Sequence, residues 1–101
     1  MRPELSLPVI WVEDGGTPQA GRFDLFGDRF SLDGGSRDDR RTRDVPLADV
    51  GSVRMGRASD ERINGRQAIV VALAGGATLS LAAFARPGTL LELAHRLEAL
   101  L

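Results

Sequence analysis

The chain has 101 residues, 43% of them apolar and 27% charged, with a formal net charge of −1 and no cysteine. That length holds one small core and leaves no room for a second domain, the near-neutral charge supplies no field to draw nucleic acid or an anionic membrane, and the missing thiols exclude disulfide frameworks, thiol catalysis and thiolate metal sites. All 13 cations are arginines, which reads first as GC-rich codon bias and only second as selection for forked recognition of carboxylate or phosphate. A single domain over residues 1–101 is expected. The lack of cysteine fits a reducing interior, so the expected location is the cytoplasm. Met1-Arg2-Pro3-Glu4 carries both signs of charge and the apolar stretch after it ends at Val12, too short and too early for a signal peptide.

Leu7 to Val12 is a compact apolar run with Pro8 near its start, which predicts a first strand that is apolar on both faces or lies at an edge. Glu13 to Ala20, with Gly15-Gly16 and Pro18, predicts an acidic loop. Arg22–Leu25 and Arg29–Leu32 alternate, placing Phe23, Leu25, Phe30 and Leu32 inward, and Gly27-Asp28 between them predicts a hairpin. Asp33 to Asp44 mixes four arginines with four aspartates around Gly34-Gly35 and reads as a solvated loop.

Val45–Leu47 and Val50–Met55 predict two short strands meeting at a bend through Ala48-Asp49. Ala58 to Gly65 reads as a second charged loop ending in the turn dipeptide Asn64-Gly65. The long uncharged run Ala68 to Ala85 approaches the length of a membrane span, but Gly75-Gly76 splits it into two strand-length halves. Gln67–Ala74 and Ala77–Ala82 are therefore expected to form the last hairpin. Ile69, Val71 and Leu73 lie on one face of its first strand, and Ala68, Val70 and Ala72 on the other, which predicts the central, most buried strand. From Pro87 to the end, Leu90, Leu93, Ala94, Leu97 and Leu101 recur at helical spacing. Thr89 and Glu92 have the spacing of a capping box, which sets the helix start at Thr89. The sum is an α+β, mainly β, domain: about seven short antiparallel strands, and one C-terminal α-helix that closes a barrel formed as the meander curls.

This order of elements resembles the pleckstrin-homology-like superfamily, and more closely its bacterial and GRAM-like members. The likeness is carried by Gly21-Arg22-Phe23-Asp24-Leu25-Phe26-Gly27-Asp28-Arg29-Phe30-Ser31-Leu32, by Val45-Pro46-Leu47-Ala48-Asp49-Val50-Gly51-Ser52-Val53, and by the final hairpin and helix. It implies two nearly orthogonal antiparallel sheets closed at one end by the helix, and a binding or assembly module with no catalysis. Related bacterial domains are implied to assemble through strand edges. The family's phosphoinositide binders place several cations in the first loop, whereas Glu13 to Ala20 here is acidic and has none before Arg22, a departure that opposes anion binding there. The resemblance also implies that Gly34–Arg43 and Gly75-Gly76 share one end, with Arg57–Arg66 at the opposite end.

The remaining chemistry is sparse. His95, the one histidine, lies off the apolar stripe with Glu92 one turn before it and Glu98 one turn after, which reads as a surface residue and not a general base. No serine sits in a nucleophile elbow, and the three Gly-Gly pairs lack the spacing of a phosphate cradle. The aspartates of Asp33–Asp44 lack the ligand rhythm of a calcium loop. No enzyme activity, cofactor or metal is expected.

Two arginine groups are candidate contacts for an anionic partner. Arg54, Arg57, Arg62 and Arg66, opposed only by Asp60 and Glu61, form the stronger strip. Arg37, Arg40, Arg41 and Arg43 form the denser but charge-compensated loop, with no aromatic interleaved for base stacking. Trp11 is core by default, or an interface anchor if its strand is an edge. The expected function is a non-catalytic module for a protein partner or for self-association, through a strand edge or the groove beside the C-terminal helix. The alternative is attachment to a membrane surface or another anionic ligand through the arginine strip. A weaker one is a small molecule at the barrel mouth, where the alanines of the last hairpin could leave space. Nucleic acid is not an expected partner.

Overall fold

The computed structural model of the chain describes residues 2–35, 38–56, 59–84 and 87–101, and the side chains of these except at positions 60 and 87. The strands are β1 (Leu5–Glu13), β2 (Gln19–Leu25), β3 (Arg29–Gly35), β4 (Arg40–Pro46), β5 (Val50–Met55), β6 (Ile69–Leu73) and β7 (Thr78–Ala83), followed by the helix α1 (Pro87–Ala99). Every pairing is antiparallel, in the order β4-β3-β2-β1-β7-β6-β5, and the sheet curls into a half-barrel. Because β1 pairs with β2 on one side and β7 on the other, the two expected halves form one continuous sheet.

The centre of the sheet is thus β1, not β6. Its inward residues Leu7, Val9 and Trp11 join the main core with Phe23, Leu25, Phe30, Leu32, Val71, Leu79 and Leu81. Its outward residues Ile10 and Val12 join a second cluster with Ile63, Ala68 and Ala82. The segment between β5 and β6 makes this second cluster possible. Ile63 and Arg66 exchange backbone hydrogen bonds of 3.0 and 2.9 Å around Asn64 and Gly65, whose φ values of 50° and 78° are those of the expected tight turn. The turn holds Ile63 against the outer face, 5% exposed. Both faces of the last hairpin read as apolar because its outer face has this cover.

Alpha helix α1 lays Leu90, Leu93, Ala94 and Leu97 on the core and packs chiefly against β5 and β7. Leu93 and Leu97 are fully buried, each contributing about 1.5–3 kcal/mol relative to exposure. The start differs from expectation. The helix begins at Pro87, a residue pre-set for the first helical position, so Thr89 lies inside it and not at its cap. Leu101 lies past its end and is 51% exposed, off the buried stripe.

The largest correction concerns residues 33–44. Asp33–Gly35 continue β3 and Arg40–Asp44 begin β4, in unbroken register from Gly35↔Arg40 to Arg29↔Pro46. Only Val45 of β4 is buried, so the strand shows almost no apolar alternation. Leu47, expected to extend the strand, instead starts one turn of 3-10 helix, Leu47–Asp49.

Backbones approach most closely where Gly21 pairs with Gly34. A Cβ on Gly21 would stand 1.6 Å from the Asp33 carbonyl oxygen, and one on Gly34 would meet Trp11 Nε1 at 3.0 Å. The indole N–H donates to that same Asp33 carbonyl at 3.0 Å. Gly21→Ala is therefore expected to cost about 3 kcal/mol, the upper end for overpacking, because the obstacle is backbone and cannot rotate away. Chemical denaturation measures this, and a loss below about 1 kcal/mol would mean that β2 and β3 can separate here.

Candidate functional site

Among the described residues the interior holds no buried polar or charged side chain, and no group of three or more His, Cys, Asp or Glu could hold a metal ion. His95 is exposed on α1, where Glu92 pairs with Arg96 at 3.5 Å. The described interior is apolar, so the arginine groups and the strand edges are the features to weigh.

The strip from β5 to β6 is partly consumed by its own neighbours. Arg54 donates to the Glu61 carboxylate, and this bond holds the guanidinium pKa above its ordinary value. Arg62 Nη1 donates to the Gly65 carbonyl at 3.2 Å. The Arg66 guanidinium lies over the Phe84 ring, 5.5 Å from its centroid, and Phe84 is 44% exposed. Arg57 lies outside the described residues. The structure also revises where this segment sits. Glu61–Asn64 fold back along the outer face and share a cleft of about 290 Å³ with Gly15, Gly16 and Pro18, so they reach the first loop and do not stay at the opposite end.

The second group lies on β4, not on a loop, except Arg37, which is outside the described residues. Arg43 Nε donates to Glu13 Oε1 at 3.2 Å, Arg41 sits 3.8 Å from Asp39, and Ser31 donates to the Asp44 carboxylate. Arg40 is exposed. These residues border two clefts. One, about 470 Å³, lies at the mouth of the half-barrel between Arg40–Thr42 and the first loop, with Trp11, Glu13 and Gln19. The other, about 360 Å³, runs from Arg43–Pro46 to Leu73–Gly75 and Ala77. The first loop is tied down as well: Asp14 Oδ1 accepts the Thr78 N–H at 2.8 Å, and Asp14 N–H donates to the Thr78 carbonyl at 2.8 Å.

Trp11 is 4% exposed on the central strand, so it is a core residue and does not offer a ring to a partner. Of the alanines of the last hairpin, Ala68 and Ala82 pack under Ile63, while Ala74 and Ala77 line the second cleft. Sequence reasoning missed the free edge at β4, because the strand carrying most of the second arginine group was not recognised as a strand.

No protein-family model matches the chain, and no curated protein matches it in sequence. Solved structures do share its fold. The C-terminal domain of an unknown protein from Leishmania infantum superposes with a TM-score of 0.69 at 12% identity, over 95% of this chain and 84% of that one. Vav1, inhibited by an allosteric inhibitor that blocks its GEF activity, superposes with a TM-score of 0.68 at 10% identity, over 98% of this chain and 26% of the Vav1 chain. The chain thus spans about a quarter of the Vav1 chain it matches. At these identities the likeness is one of fold. It is consistent with the pleckstrin-homology-like architecture expected from the sequence.

The first loop and the mouth generate one prediction. Glu13, which lines the first cleft beside Arg40 and Arg41, also pairs with Arg43, with both side chains 37% exposed. Glu13→Gln is expected to bind inorganic pyrophosphate several-fold more tightly than the wild type in titration calorimetry at low salt. Equal affinity would show that Glu13 does not hold Arg43 back.

Proposed function

We propose that this chain is a non-catalytic binding or assembly module on a pleckstrin-homology-like scaffold of the bacterial, GRAM-like kind, acting in the cytoplasm on a protein partner or a second copy of itself. The observation that carries this reading is the open sheet, whose outermost strands β4 and β5 each pair on one side only. Such edges present rows of backbone donors and acceptors to a further strand. The groove beside α1 is the other place for a partner. Light scattering across a concentration series, with affinity capture from a lysate of the source organism, tests the reading. A mass above the monomer, or a captured partner that protects β4 or β5 amides from hydrogen exchange, is expected. A strict monomer with no partner recovered overturns it.

A second reading is favoured by one contact. The exposed Phe84 ring beneath Arg66 joins an apolar body to a cation, the pairing that suits an anionic bilayer surface. Sedimentation with phosphatidylserine vesicles is then expected to show salt-sensitive binding that Arg66→Glu and Phe84→Ser each reduce. Binding that is absent at low salt, or unchanged in both variants, removes this reading.

A further inference from the structure

The two free edges are not equivalent. The ladder between β5 and β6 slips at Val50/Ser52, whereas β4 is regular over seven residues. Which groups of β4 face outward follows from one hydrogen bond. Leu47 N–H donates to the Asp28 carbonyl at 2.9 Å, continuing the register of Arg29↔Pro46, so Val45, Arg43 and Arg41 are the residues whose N–H and C=O turn toward β3. The alternate residues Arg40, Thr42 and Asp44 turn theirs away from the sheet. Pro46, which has no N–H, occupies the next outward position, as an edge proline should. The side chains of Arg40, Thr42 and Asp44 are all exposed on the convex face, opposite the buried Val45. Clefts border both halves of the strand, at Arg40–Thr42 and at Arg43–Pro46.

We infer that β4 is a self-association edge, whose occupant is the β4 strand of a second copy of this chain, antiparallel and centred on Thr42. This inference rests on the assembly reading above and names its edge. A two-fold axis through Thr42 sets Arg40 opposite Asp44 of the second copy, twice, with Thr42 opposite Thr42. All three are residues whose backbone groups face out, so the pairing that matches charges also makes the ladder bonds. Shifting the register by two residues one way puts Asp44 opposite Asp38. Shifting it the other way sets Arg40 opposite Pro46, which has no N–H to give. The pairs between the ladder bonds, Arg41 with Arg43, would repel if bare, but Glu13 already sits on Arg43 and Asp39 near Arg41. The result is an isologous dimer with one continuous sheet across the axis.

Light scattering and sedimentation of the full chain test this, with circular dichroism confirming that each variant folds. The wild type is expected to show twice the 10.8 kDa mass of the chain. Asp44→Arg alone places like charges opposite Arg40, and Arg40→Asp alone does the same opposite Asp44. Each is expected to weaken the dimer on the order of tenfold or more. Arg40→Asp combined with Asp44→Arg restores the opposition of charges and is expected to recover the dimer. Thr42→Pro removes an outward N–H without touching the ladder to β3 and is expected to give a monomer. A wild type that stays monomeric overturns the inference, and partner capture then decides the broader reading by itself. A dimer indifferent to Thr42→Pro and to both single swaps also overturns it, while leaving assembly through β5 or α1 in place.

Discussion

The structure depends on one constraint: β1 is apolar on both faces, and both must leave water. A strand of this kind cannot stay at an edge, because there it would expose a full row of backbone groups beside apolar side chains. Placing it at the centre satisfies its hydrogen bonds through β2 and β7. The inner face, with Leu7, Val9 and Trp11, is then covered by the curl of the sheet and by α1, and the outer face, with Ile10 and Val12, by Ile63. The helix is the cover for one side, and the turn Ile63–Arg66 is its smaller counterpart on the other. With β1 in the middle, the two strands left outside are β4 and β5, which are also the most exposed. Burial at the centre determines which surfaces remain for docking.

Much of this fold was legible in the residues. Alternation in Phe23–Leu25 and Phe30–Leu32, the splitting of the apolar run by Gly75-Gly76, the Asn64-Gly65 turn and the spacing of Leu90, Leu93 and Leu97 all report local physics, and each appears where expected. What failed was decided by tertiary context. Residues 40–44 read as a loop because charged side chains occupy both faces, and they can do so because the strand is at the rim and only Val45 reaches the core. The stagger of Gly34-Gly35 and Asp38-Asp39 around a short connection was the available clue to a hairpin. The centrality given to β6 fell for a related reason. Two apolar faces show that both are covered, not how many strands lie on either side, and β6 has only the edge strand β5 beyond it.

The candidate arginines show the same division. Sequence located every one of them, yet charge counting could not say which are already spoken for. Arg54 is taken by Glu61, Arg43 by Glu13, and Arg62 by a carbonyl. These partners lie seven, thirty and three residues away, and the second pairing exists only because the curl of the sheet brings β4 back to the end of β1 across β3 and β2. The strip that looked most cationic is therefore partly neutralised. The group that looked compensated leaves Arg40 at the start of a free edge.

That distinction bears on how an edge strand can be both safe and sociable. A long, flat, apolar edge pairs with anything, whereas one lined with charges pairs only with a strand whose charges answer it. β5 is guarded by its slipped ladder and by the helix packed against it. β4 lacks both protections but carries Arg40 and Asp44 on its outward-facing residues, with Pro46 ending the row of donors. The same side chains that discourage indiscriminate pairing form a pattern complementary in charge to its own reverse about Thr42. In the inferred pairing of this edge with its own copy, charge, backbone direction and register all have to agree before any hydrogen bond is made.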